Sequence, residues 1–503
     1  MSAQQPAIVA SGHPAVSRAA TTLLEAGGNA FDAAIGAGFA GAMAEPALTS
    51  LGGGGFLLSR TNKGEATLFD FFVDTPGKGL AMEQLEPHFF PVTVKFSGSD
   101  QDFHVGLGSV AVPGALKGFL HAHKRLGRLP LAEVVKPAVT LARDGLAINR
   151  QQSYFLNLLT PIMTMSAAGR ALFAPDGVYL QEGDLFRNKP LADFLENLGD
   201  DCSTCFHTSP LAQHIAADME AMSGLLTEED LLSYQVIERS PLEINYRGHH
   251  LLTNPPPSFG GTLINIALRL MAELDFTNVQ WGSPAHILPM AAAMIAVENQ
   301  RSENNNADNV PPEEWYGTKG QHLRTFSRGT THISVADEEG NVASMTTSNG
   351  EGSGYIVPGT GIMLNNMMGE DDLHPDGFHA TPPGQRVASM MSPSLLLDDN
   401  GVKLVLGSGG SKRIRTAITQ VLSNIIDFDH DLQAAINAPR LHWDGSALQT
   451  EPGFAPDSIA ALANQWPVNV WEELEVYFGG VHAVMPGRDG AGDPRRGGHS
   501  LIL

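Results

Sequence analysis

The chain has 503 residues and a formal charge of −23, from 31 Lys and Arg against 54 Asp and Glu. So acidic a chain lacks the basic surface that phosphate neutralisation or an anionic membrane requires, which argues against nucleic acid and membrane as partners. Apolar residues make up 43 % and charged residues 17 %, the balance of a globular protein with a large core; length alone allows about two to four domains.

The opening MSAQQPAIVASGHPAV has neither a basic n-region nor an apolar h-region. No signal peptide is therefore expected, and the cytoplasm is the expected compartment. Residues 14–26 show helical spacing and end at Gly27-Gly28, as a C-cap would. Asn29 with Asp32 resembles an N-cap and opens the small-residue run AAIGAGFAGAMA, suited to a helix packed close on a sheet. Helical periodicity recurs over 131–146, 190–197, 210–221 and 262–274. Cys202 and Cys205 form one CxxC pair, too few ligands for a zinc site and without a thioredoxin-like context, so two surface thiols and no metal are expected. Residues 303–320, rich in Asn, Pro, Glu and Gly, read as an exposed loop.

Beyond that loop the periodicity changes. TTHISVA and VASMTTS read as strands joined by residues 337–341, with Gly329-Thr330 opening the first. Glycine leaves its carbonyl unhindered, so the Thr330 hydroxyl can attack Gly329, turning the peptide into an ester that water then splits. The new N-terminal threonine carries an α-amine that titrates near ~7.7–8 and can serve as base for its own hydroxyl. On local sequence alone, a Gly-Thr-Thr start to an ordinary strand is the plain alternative. Residues 401–406 read as another strand, running through Gly407-Ser408-Gly409-Gly410-Ser411 into a helix from about 412 to 426. Backbone N–H groups at such a turn form an anion cradle. A nucleotide loop is disfavoured: Lys412 stands where a dinucleotide fingerprint needs glycine, and no Gly-Lys-Ser/Thr is present.

A long series of short motifs falls in one order. It runs from Ala10-Ser11-Gly12-His13-Pro14, Gly27 to Ala34, Glu45-Pro46 and Gly52 to Phe56, through Val110 to Gly114, Gly127 to Pro130 and Pro255 to Gly261. It continues after Thr330-Thr331-His332 with Gly361 to Asn366, Met391 to Ser394, Gly407 to Ser411 and Asn437 to Arg440. In this the chain resembles the γ-glutamyltransferase (glutathione hydrolase) family of N-terminal nucleophile hydrolases. The resemblance implies an α+β fold, a four-layer αββα sandwich of two stacked antiparallel sheets. It implies a large segment, 1–329, and a small one, 330–503, interleaved in one domain and associated as a heterodimer, open to further dimerisation. Cleavage falls between Gly329 and Thr330. Thr330 is then the nucleophile, Ser348 orients it with help from Asn349, and Gly409 with Gly410 form the oxyanion hole.

The departures from the family pattern share a direction. The arginine that holds a substrate α-carboxylate falls on Phe72, within Asp70 to Pro76. The two residues that take the α-amino group fall on Met367 and Glu370, and a Ser-Ser pair becomes Ser389-Met390. The Thr-x-Asn support becomes Ser348-Asn349-Gly350, with its asparagine one residue early. The segment between Glu370 and Ser389 is short, which removes room for the family's lid. Each charged hydrogen bond lost in this way weakens binding by roughly 1.5–3 kcal/mol. The expected activity is acyl transfer from a γ-glutamyl amide such as glutathione to water or an amine. The alternatives are an amidase for a less charged acyl group and an unprocessed binding homologue; no cofactor is implied.

Overall fold

The computed structural model describes residues 5–81, 85–95, 100–199, 205–208, 210–303, 329–374 and 377–503. Two antiparallel sheets form its centre. Across the first, the order is His499–Ile502, Ile8–Ser11, Thr331–Ala336, Val342–Ser348, Gly54–Arg60, Ala66–Phe71 and Ile237–Arg239. Across the second it is Asp489–Ala491, Gly480–Met485, Gly401–Gly409, Ser394–Asp398, His249–Thr253 and Leu242–Tyr246. Each sheet thus draws strands from both sides of the Gly329–Thr330 bond.

Side-chain alternation explains the layering. In Thr331–Ala336 and Val342–Ser348, the odd residues Ile333, Val335, Ala343 and Met345 enter an apolar core shared with helices Pro14–Glu25 and Ala30–Ala44. The even residues point the other way, to the seam between the sheets. There the Ser344 hydroxyl donates to the Leu406 carbonyl (2.9 Å) and Ser334 to that of His482 (3.0 Å). Helices Phe259–Ala272 and Arg413–Ile426 supply Ile264, Leu268, Ile418 and Leu422 to a second core on the far sheet. The result is helix, sheet, sheet, helix.

The expected helices are present with ends shifted by a few residues: Pro14–Glu25, Leu131–Asp144, Lys189–Glu196, Pro210–Ala221, Phe259–Ala272 and Arg413–Ile426. Asn29 and Asp32 form a complete capping box at Ala30–Ala44, each side chain taking the other's backbone N–H. Helix Pro284–Glu303 was not foreseen; Pro289 within it breaks the helical reading of its sequence. The expected loop beyond Glu303 lies outside the described residues. The reading of Cys205 as a surface thiol is corrected: it is fully buried and disulfide-bonded. Burial beside Phe206 and His207, which the spacing of a single CxxC does not encode, removes it from solvent. Cys202 lies outside the described residues.

Candidate active site

Thr331 pairs with Thr347, so the register carried one residue further sets Thr330 opposite Ser348. Ser348 pairs with Gly54, and Gly55 with Phe71, which places Phe72 next along the same row. Thr330, Ser348, Gly54 and Phe72 therefore line one end of the sheet across four strands, and the three with side chains are even-numbered and face the seam. Thr330 is 4 % exposed. Its hydroxyl donates to the Gly329 carbonyl at 2.7 Å, and the Ser348 hydroxyl donates to the same oxygen at 2.5 Å. Ser348 is held in turn by the Gly350 N–H at 3.0 Å. Ser348 thus contacts the Gly329 carbonyl, where the sequence suggested a contact with Thr330 itself. The buried Asn349 lies against Gly352, and its Oδ1 has no hydrogen-bond partner among the described residues.

The glycine turn meets this row from the second sheet. Gly409 ends its strand paired with Gly480, and a Cβ at 409 would collide with the Thr330 carbonyl oxygen. Gly410 has φ +119°, a conformation that a side chain would strain. The Arg413 N–H then donates to the Gly410 carbonyl (3.0 Å) as the helix begins. Behind the turn, Ser411 donates to Asp372 at 2.7 Å, and Lys412 Nζ lies 3.1 Å from the same carboxylate.

Two charged residues at this site were not singled out from sequence. Arg496 Nη1 donates to the Thr330 carbonyl at 3.1 Å. Glu45, which caps the end of helix Ala30–Ala44, accepts from the Thr331 hydroxyl through both carboxylate oxygens (3.0 and 3.1 Å). Burial pushes the Glu45 carboxyl up to about 7 against the Thr331 bond and the Arg496 charge, and burial with Arg413 nearby brings Arg496 down to about 10. Glu45 was legible only as part of Glu45-Pro46, and Arg496 only as a charge in a glycine-rich tail.

The far end of the row is apolar. Phe72 is buried and stacks on Phe56 with centroids 5.5 Å apart. Met367 and Met390 are buried in the same cluster between the sheets. Ser389 is buried but directed into the protein: its hydroxyl accepts the Met391 N–H (3.1 Å) and its carbonyl accepts from Phe259 and Ser258. A guanidinium does approach Phe72. Arg386 donates to the Phe72 carbonyl and the Tyr234 hydroxyl, but it is engaged by Asp74 (2.9 Å) and Asp70 (3.3 Å). Its charge is thus paired within the protein by these two carboxylates. Glu370 is brought close to Gly350, two residues beyond Ser348: a Cβ there would collide with Glu370 Oε1 and Asn366 Oδ1. The glycine at 350 makes room for these two groups.

The sequence profile described as "Gamma-glutamyltranspeptidase" matches residues 16–503. The chain belongs to the γ-glutamyltranspeptidase family. It is therefore an N-terminal nucleophile enzyme by family. It is 31 % identical to the "Glutathione hydrolase proenzyme" of Escherichia coli (strain K12), over 97 % of this chain and 90 % of that one. It is equally 31 % identical to the "Acylase ACY 1 proenzyme" of Pseudomonas sp. (strain SE83), over 90 % and 85 %. Among solved structures it superposes on the cephalosporin acylase from Bacillus halodurans with a TM-score of 0.83 and 26 % identity, covering 99 % of this chain and 96 % of that one. The αββα layering expected from the resemblance is thus the fold found. Relatives of equal likeness carry different names, a glutathione hydrolase and an acylase, so family membership leaves the pocket to be read from its own residues.

Proposed function

We propose that the chain cleaves itself between Gly329 and Thr330 and then transfers an acyl group from an amide through a Thr330 ester to water or an amine. What supports this is the convergence of two hydroxyls on the Gly329 carbonyl. Thr330 Oγ adds to the Gly329 carbonyl carbon, while Ser348 donates to the developing oxyanion. The Gly329–Thr330 C–N bond breaks as the hydroxyl proton passes to the Thr330 nitrogen, leaving an ester. Water splits that ester, releasing the Gly329 carboxylate and a free Thr330 hydroxyl with its α-amine. In turnover the α-amine takes the hydroxyl proton, Oγ attacks the substrate amide, and the leaving amine departs with a proton. The oxyanion of that step falls to the turn at Gly409, which lies against the Thr330 carbonyl, and Gly410.

A γ-glutamyl amide is the donor that family membership supports, with Glu370 the group assigned to a substrate ammonium. One observation favours a second donor, an amide whose acyl group carries no free amino-acid end: Phe72, Met367 and Met390 are buried and apolar, and Arg386 is already neutralised. The two fragments remain together as a heterodimer through their shared sheets. Electrophoresis of the purified protein with N-terminal sequencing tests the processing, since Thr330→Ala is expected to remain one inactive chain. A wild type that never splits at Thr330 overturns the proposal. The ratio of kcat/KM for a γ-glutamyl anilide and a neutral acyl anilide of equal size decides between donors.

A further inference from the structure

We propose that Arg496 is the positioning residue of the nucleophile and that, with Glu45 on the other side of the Thr330–Thr331 pair, it sets the charge state of the α-amine that cleavage exposes. The inference rests on the self-processing reading above. Three observations place Arg496 there. Its Nη1 donates to the Thr330 carbonyl (3.1 Å) and its Nη2 to that of Val476 (3.4 Å), so the planar fork is tied at two points. Ideal Cβ positions at Gly409 and Gly410 lie 3.1 Å from Nη1 and 3.5 Å from Nη2, so the guanidinium also backs the oxyanion turn. Its stem is fixed as well: a Cβ on Gly480 would lie 2.5 Å from Arg496 Cδ.

Glu45 closes the opposite side. It grips Thr331, whose odd parity points its side chain toward the helix layer while Thr330 faces the seam. Gly12 keeps that grip possible, since a Cβ there would come within 2.6 Å of Glu45 Oε1 and 2.9 Å of Thr331 Oγ1. The nucleophile thus stands between a buried cation and a buried acid, neither of which touches its hydroxyl. The other charged or titratable groups that act on Arg496 are Arg413, Asp493 and Tyr154; His482 is buried beside Asp493, and Glu370 faces Gly350.

The electrostatic consequence has a sign. A fixed positive charge held on the carbonyl of Thr330 itself disfavours the ammonium form of its nitrogen, so the amine is a free base at lower pH than it would otherwise be. An ionised Glu45 acts the opposite way. The acid limb of the kcat/KM profile reports the amine in the free enzyme.

The experiment uses the processed full-length protein and a good anilide substrate. Arg496→Met is expected to move the acid limb up by about one pH unit or more, and Glu45→Gln to move it down. Arg496→Lys, which keeps charge but loses the fork, is expected to leave the limb in place while turnover falls on the order of tenfold. A merely structural pair would lower rates without moving the limb. Should Arg496→Met fail to accumulate as folded protein, the Lys and Gln variants carry the same test. Overturning results are a limb in Arg496→Met that coincides with wild type, or, where Arg496→Met does not fold, an unmoved limb in Glu45→Gln. A wild type that runs as one uncut chain defeats the processing proposal instead, and the two failures are told apart on the gel.

Discussion

Replacing Ser348 by alanine separates the chemistry of processing from that of turnover. Two hydroxyls sit on the Gly329 carbonyl in the uncut chain, at 2.7 Å from Thr330 and 2.5 Å from Ser348. The first must be surrendered, because Thr330 Oγ becomes the attacking atom. Ser348 is then the hydroxyl left to stabilise the oxyanion. Loss of one such donor typically raises a barrier by about 2.7–4 kcal/mol, so cleavage is expected to slow on the order of 10²–10³-fold. The same change strands the Gly350 N–H, which costs roughly 1–3 kcal/mol of stability without touching the barrier in the same way. The assay is the appearance of the 330–503 fragment with time after cold purification, alongside thermal unfolding of the uncut chain. Ser348→Thr, which keeps the hydroxyl, is expected to process near the wild-type rate. If Ser348→Ala cleaves within about threefold of wild type, the carbonyl is activated by something else and the assignment is wrong.

Three further outcomes follow from the same geometry. Gly409→Ala is expected to lower turnover on the order of 10²–10³-fold, because its methyl group would push against the Thr330 carbonyl, and Gly410→Ala adds strain of about 1–3 kcal/mol at φ +119°; steady-state rates with a check of folding by circular dichroism measure both. Phe72→Arg alone is expected to lower KM for a γ-glutamyl anilide only modestly, since a buried guanidinium pays desolvation until substrate arrives, whereas adding Met367→Gln is expected to exceed the sum of the single effects; additive free energies would count against a shared ligand. Glu45 has its folded pKa raised from 4.5 to about 7, so its contribution is fully present below about pH 4.5 and is lost as pH rises through about 7. Glu45→Gln is therefore expected to gain stability relative to wild type between pH 5 and pH 8, by on the order of 2–4 kcal/mol in denaturant titrations; a pH-independent difference would contradict the burial of a titrating acid.

Much of the scaffold was legible because it rests on local rules. Asn29 and Asp32 announce a capping box, and the alternation in TTHISVA and VASMTTS announces strands with one apolar and one polar face. The row that joins Thr330 to Phe72 was not, since it depends on which strands become neighbours: Gly54 with Phe72 and Thr330 with Ser348 come from two separate parts of the chain. Phe72 and Met367 were identified as departures from a pattern, but only the structure shows that Arg386 approaches and is spent on Asp70 and Asp74. Glu45 and Arg496 carry no such local signal, because a buried charge is defined by its partners: Thr331 lies 286 residues from Glu45, and Thr330 lies 166 from Arg496. Cys205 failed for the converse reason, because a short spacing says nothing of burial.

The strand that begins at Thr331 is bordered by Ile8–Ser11 on one side and Val342–Ser348 on the other, the first from the segment before the cut and the second from the segment after it. Breaking the Gly329–Thr330 bond therefore turns an intramolecular sheet into an intermolecular one without moving a strand. From that moment unfolding is also dissociation, and recovery from it becomes a second-order process. The uncut chain can be denatured and diluted back as a single molecule, whereas the mature pair has to find its other half through non-local strand pairing, the slow kind. A cut at this bond would thus make recovery from unfolding depend on concentration as well as on sequence.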